Sequence, residues 1–131
     1  MKNEFVTHDI ALALKKLGFN EKCLACYDEK GVFGLTVMSI KKYYTNSKED
    51  TWNCAAPLYQ QAFRWFREKH SLTGRPTIGN QEYSFRIFDE KEDKTIREGV
   101  RELGAHFNGS YEQAELACLR RLIEIVKNKE D

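Results

Sequence analysis

The stretch APLYQQAFRWFREKH, residues 56–70, restricts the fold more than any other part of the chain. In linear order it mixes Tyr59, Phe63, Trp65 and Phe66 with Arg64, Arg67 and Lys69. At about 100° per residue the mixture separates. Trp65, Leu58, Ala62, Phe66, Tyr59 and Phe63 fall in an arc of roughly 160°, while Arg67, Gln60, Arg64, Glu68 and Gln61 fill the opposite side. A helix with so broad an apolar face must cover it against a second layer, so the rest of the chain has to supply one. Pro57 is expected in the first turn, where its missing N–H costs nothing. Most of the arc is expected to be buried. Tyr59 and Trp65, towards its borders, are the rings best placed to reach the surface.

The other elements can be read by the same local rules. Thr7 is expected to cap a first helix, with Asp9 at its positive end and Val6 stapled onto Ala11. Ile10, Ala13, Leu14 and Leu17 make its apolar stripe, and Gly18 supplies a left-handed stop. CLACYDEKGVFGLTV, residues 23–37, predicts a hairpin turning on Asp28-Glu29-Lys30-Gly31, with a second strand running on towards Tyr43 and Tyr44. SLTGRPTIGN reads as a connection, and EYSFRIF as a strand in which Tyr83, Phe85 and Ile87 alternate with Ser84, Arg86 and Phe88. DEKEDKTIREGVRELGAHFN admits two readings. Ile96, Val100 and Leu103 suit a helix face that Gly99 weakens, and a hairpin return fits nearly as well. Ser110 with Gln113 makes a capping box for a last helix running to about Lys127. Leu119, Leu122, Ile123 and Val126 share its apolar side with Leu116, Cys118 and Ile125.

The order is therefore α-β-β-α-β-(β or α)-α: an α+β fold, with a small, mostly antiparallel sheet packed by about three helices. It is expected as one domain over residues 1–131. Hydrophobic residues make up 41% of the chain and charged residues 31%, which is the balance of a folded protein. The net charge is +1, so no global field draws the chain to nucleic acid or anionic lipid. MKNEFVTHDI has no apolar signal core, and no run approaches the about 20 apolar residues of a membrane span. The expectation is a cytoplasmic protein whose four cysteines are thiols.

Catalytic chemistry finds little support. Cys23 and Cys26 form a lone CxxC inside a hairpin strand, without the second pair that a structural zinc site uses. Residues three apart on a regular strand also face opposite ways. Cys54 and His70 would stand about four helical turns apart, too far for a nucleophile and its base. His8 and His106 lie in no metal or nucleophile signature. No metal, cofactor or catalytic residue is implied, and the protein is expected not to be an enzyme. A small-ligand site, if there is one, is expected where the polar loop meets the middle helix. Trp52, Tyr59 and Trp65 would stack there, and Arg64 and Arg67 would take a phosphate. Lys41, Lys42, Arg64 and Arg67 are the cations available to a nucleic acid.

Three blocks carry a family resemblance: FVTHDIALALKKLGFNEKCLA (5–25), CAAPLYQQAFRWFREKHSL (54–72) and GSYEQAELACLRRLIEIVKN (109–128). Together they resemble small uncharacterised proteins encoded in phages and prophages of gut bacteria. Those proteins share a helix–hairpin start, an APLYQQAFRWFREK-like middle and an SYEEAELACLRKLIEIVK-like end. The blocks cover about half of the chain in order, and residues 73–108 depart most from the pattern. The resemblance implies a bacterial-host setting and an accessory role, but no catalytic residues. A looser likeness, in element order, is to double-stranded-RNA-binding domains. There a basic helix start meets phosphates, whereas here Tyr111, Glu112, Gln113 and Glu115 would do so, which argues against RNA. The leading expectation is a non-enzymatic accessory protein that binds a host or phage protein, or a second copy of itself. Nucleotide sequestration is the alternative. Weak nucleic-acid binding comes after both and is disfavoured by the charge.

Overall fold

The computed structural model describes residues 2–35, 43–47, 54–79, 82–98 and 110–130. Over these it shows an α+β fold of three α-helices and two three-stranded antiparallel sheets. Packing divides the chain into two compact units, Met1–Gln61 and Ala62–Asp131.

In the first unit, helix α1 (His8–Lys16) buries Ile10, Ala11 and Leu14, while Leu17 stays half-exposed. Its end is closed by two hydrogen bonds of the Schellman type. Phe19 N–H donates to the Leu14 carbonyl at 3.0 Å, and Gly18 N–H to that of Lys15 at 3.1 Å. Gly18 has the positive φ, 98°, that this closure requires. Leu14 and Phe19 seal it with fully buried side chains. Thr7 sits at the N-cap but does not cap with its side chain. Its hydroxyl donates to the Asp9 carboxylate, a charge-assisted bond at the start of the helix.

The expected hairpin forms strands β1 (Ala25–Tyr27) and β2 (Phe33–Leu35), with Tyr27 opposite Phe33. Asp28 builds the turn: its Oδ1 accepts from Lys30 N–H at 2.8 Å and Val32 N–H at 2.9 Å. Gly31, at φ 82°, completes it. A Cβ there would stand 3.0 Å from His8 Nδ1, so the turn also packs closely on the start of α1. The continuation of β2 towards Tyr43 falls outside the described residues, but Tyr44 forms a bridge with Cys23.

On its other side β1 pairs with β3 (Cys54–Ala56), giving the order β2-β1-β3. Residues 54–56 were expected to lead into a helix beginning at Ala56. The proline explains the difference, since Pro57 pushes the residue before it into extended backbone. Ala56 is therefore free to pair with Ala25. Pro57 consequently precedes the helix rather than opening it, and its carbonyl accepts from Val6 N–H at 3.0 Å. Ala25, Ala55 and Ala56 are wholly buried, and side chains this small let α1 lie close to β3. Asn46 ties the loop down, with Nδ2 donating to the Phe19 carbonyl at 2.8 Å and Oδ1 accepting from Ala55 N–H at 2.9 Å.

Helix α2 (Tyr59–His70) carries the chain from the first unit into the second. In the second unit β4 (Leu72–Gly79), β5 (Glu82–Asp89) and β6 (Lys94–Glu98) form an antiparallel sheet in chain order. Strand β4 corrects the reading of SLTGRPTIGN as a connection. Its Gly and Pro hide a strand at the sheet edge. An edge strand tolerates Pro76 because one side of its backbone needs no partner. Gly74 is there because helix α3 (Tyr111–Glu130) comes too close for a side chain. A Cβ would lie 2.8 Å from Leu122 Cδ1 and 2.9 Å from Cys118 Sγ. Strand β6 resolves the ambiguous segment as a hairpin return over residues 94–98, with Ile96 opposite Ile87. Gly99, Val100 and Leu103 lie outside the described residues.

Helix α3 keeps the capping box: Gln113 N–H donates to Ser110 Oγ at 3.2 Å, and Ser110 N–H to Gln113 Oε1 at 3.1 Å. It packs on β4 and β5 and buries Ala114, Cys118, Leu119, Leu122, Ile125 and Val126, while Leu116 and Ile123 are only partly covered. Leu72, Phe85 and Ile87 are buried in the same unit. The one buried carboxylate among the described residues is Asp89, at the end of β5. Its Oδ1 accepts from the Lys91 and Glu92 amides at 3.1 and 3.3 Å, and its Oδ2 from Lys129 Nζ at 3.0 Å. It thereby fixes both the β5–β6 turn and the end of α3.

Candidate functional site

The thiols are the most reactive groups this chain could offer, and the fold makes them inert. Cys23, Cys26, Cys54 and Cys118 are all buried thiols, none of them in a disulfide. Burial, with smaller contributions from Glu21 and Cys54, pushes the Cys23 thiol up to about 12. Burial likewise pushes Cys54 up to about 11 against the opposing pull of Lys15, and Cys118 up to about 12. A thiol held so far above neutrality carries little of the thiolate that acts as the nucleophile. Cys54 lies in β3 rather than at a helix start. The His70 ring packs against Trp65 and Phe66, at centroid distances of 4.9 and 5.9 Å. Among the described residues no group of three or more His, Cys, Asp or Glu side chains is gathered that could hold a metal ion.

Of the residues expected to form a stacking site at the start of α2, the four that are described do not share one surface. Tyr59 and Trp65 are 7% and 4% exposed, so both rings belong to the core and offer no face to a ligand. Arg64 and Arg67 are exposed on the opposite side of the same helix. The borders of the apolar arc are therefore covered as fully as its centre. Trp52, Lys41 and Lys42 lie outside the described residues.

A different surface gathers polar chemistry. Helix α3 packs on β4 and β5, and the strand alternation puts a second set of side chains on the other face of that sheet. Arg75 of β4 stands directly opposite Arg86 of β5, and Arg97 of β6 holds the next position in the same cross-strand row. The neighbouring row reads Thr73, Phe88, Thr95. Arg75, Arg86 and Thr95 are exposed, and the Phe88 ring is 37% exposed at the centre of the sheet. Glu90 follows Phe88 on the same side, with its Oε1 accepting from Thr73 Oγ1 at 3.1 Å. Thr73, Arg75, Arg86, Phe88, Glu90 and Thr95 line a shallow depression of about 420 Å³.

The arginine row is what makes this face unusual. Like charges directly opposite on a sheet repel. At the surface each such pair costs about 0.5–1 kcal/mol. Neither Arg75 nor Arg86 forms an ion pair among the residues whose side chains are described. The sequence alternation had already placed Arg86 on the same strand face as Phe88. Arg75 escaped because its strand was not recognised, so its pairing with Arg86 could not be seen.

No family model matches the chain, and no curated protein or solved structure matches it significantly. Among the described residues no helix is long and apolar enough to cross a membrane.

Proposed function

We propose that this protein is a non-catalytic accessory protein of phage or prophage origin that binds an anionic ligand on the open face of β4-β5-β6. One observation carries the reading: Arg75 faces Arg86 across the sheet without a described acid between them. A bound anion would turn that repulsion into a bidentate clamp, the geometry at which guanidinium groups excel. The burial of all four thiols supports binding over catalysis. The three blocks similar to phage-encoded proteins support the setting.

Titration with pyrophosphate, followed by amide chemical shifts, tests this directly. Shifts are expected at Thr73–Arg75 and Arg86–Phe88 and should vanish in Arg86→Thr. The same variant should be more stable than the parent by about 0.5–1 kcal/mol, because it relieves a like-charge pair. Unchanged shifts in the variant, or no shifts in the parent at millimolar pyrophosphate, would refute the proposal.

A second reading, contact with a host or phage protein, draws support from the first unit. Leu24 and Tyr43 each adjoin the Cys23–Tyr44 bridge, and their side chains are 48% and 46% exposed. If Leu24→Glu leaves the capture of a host protein undiminished, this pair is not its contact.

A further inference from the structure

We infer that the depression on the β4-β5-β6 face is a site for a free nucleoside phosphate, with its base on Phe88 and its phosphates between Arg75 and Arg86. The inference rests on the anion-binding reading and adds to it the part of the ligand that is not anionic.

The rows of the sheet define a direction. Along β5 and into the turn that follows it, the outward positions run Arg86, Phe88, Glu90: a cation, an aromatic ring, then an acid. Arg75 reinforces the first position, and Thr73 and Thr95 flank the second. The first and second are about 6.8 Å apart, two residues of antiparallel strand. That spacing is close to the distance a ribose puts between a base and its phosphate. A phosphate is drawn to the arginine end and repelled from Glu90. A base on Phe88 gains stacking energy from the exposed ring. It also presents its edge and ribose hydroxyls to Thr73, Thr95 and the Glu90 carboxylate. A bare anion would use only the first row. The exposed phenyl at the centre of the sheet and the two threonines beside it would then be left without a role.

The same rows argue for a free nucleotide over a strand. A single-strand binder needs a basic groove that follows the backbone past successive bases. Here the row beyond the arginines is Thr77 opposite Ser84, and the other side ends at Glu90. Among the described residues of this face the cations are confined to one row, and the chain as a whole carries only +1.

The test is calorimetric titration of the full chain with ATP, GTP, CTP, UTP, pyrophosphate and a ten-residue oligothymidylate. At least one nucleoside triphosphate is expected to bind tenfold or more tightly than pyrophosphate. Phe88→Ala should remove that advantage and leave pyrophosphate binding intact. Arg75→Ala and Arg86→Ala should each weaken both ligands at least tenfold. Phe88→Leu, with far-ultraviolet circular dichroism on every variant, separates a lost ring from a lost fold. If pyrophosphate binds as tightly as every nucleotide, the nucleotide inference fails and the anion surface stands. If the oligonucleotide binds tightest with a steep salt dependence, the ligand is a strand and the inference fails. Absence of binding by all six ligands overturns both this inference and the function on which it rests.

Discussion

Replacing Asp89 with alanine should destabilise the second unit more than any single surface change, and the reasons can be separated. The carboxylate is 1% exposed and has three donors: two turn amides and the Lys129 ammonium. A hydrogen bond to a charged acceptor contributes about 1.5–3 kcal/mol in full burial. The turn amides are partly buried and sit at long distances, so about 1 kcal/mol each is appropriate. Lys129 is half exposed, and its ion pair contributes about 0.5 kcal/mol after solvent screening. Alanine regains part of the cost of burying a charge, which leaves a net loss of about 2 kcal/mol. Asparagine keeps an acceptor for the turn and should lose about 1 kcal/mol.

The pH dependence gives an independent check. Burial pushes the Asp89 pKa up, but the Lys129 ammonium and the amides of Glu92 and Lys91 outweigh it and hold the carboxyl below its usual value. Its folded pKa is thus depressed relative to the unfolded chain. The stabilisation is fully present above about pH 4, the unfolded value, and is lost as pH falls through the folded one. Urea melts of parent, Asp89→Asn and Asp89→Ala between pH 7 and pH 2.5 test this. The parent should lose stability below about pH 4 more steeply than Asp89→Asn does. The reasoning fails if Asp89→Ala stays within about 0.5 kcal/mol of the parent at pH 7, the size of an ordinary surface change. Equal acid slopes in parent and asparagine variant would refute it as well.

Three further outcomes are expected. Gly31→Ala puts a Cβ at φ 82° and 3.0 Å from His8 Nδ1, so it should cost about 1–2 kcal/mol in a denaturant melt. Ser110→Ala removes one arm of the capping box and should cost about 1 kcal/mol, with hydrogen exchange accelerated at the start of α3. With Cys23 and Cys118 pushed up to about 12, their thiolates are scarce at pH 8. They should react with a disulfide reagent roughly a hundredfold or more slowly than a free thiol of ordinary pKa near 8.5, until denaturant is added.

The features legible in the sequence were those set by short-range geometry. The apolar arc of α2, the Gly18 stop, the Asp28–Gly31 turn and the Ser110–Gln113 box each depend on residues within a few positions of one another. Strand β4 was illegible for the opposite reason. Pro76 and Gly74 contradict strand propensity, and only the edge position and the approach of Leu122 and Cys118 make them acceptable. Strand β3 was missed because two alanines before a proline carry no periodicity, and pairing with β1 decides their conformation.

The candidate ligand surface divides along the same line. By itself the sequence determined that Arg86 and Phe88 share a strand face and that Tyr59 and Trp65 share a helix face. Both follow from backbone periods acting over a few residues. Tertiary structure decided that the helix rings are withdrawn from any ligand, and that Arg75 stands opposite Arg86. Asp89 acquired its role the same way, through a lysine forty positions along the chain. Burial and strand register depend on which distant segments meet, and local spacing holds no record of that.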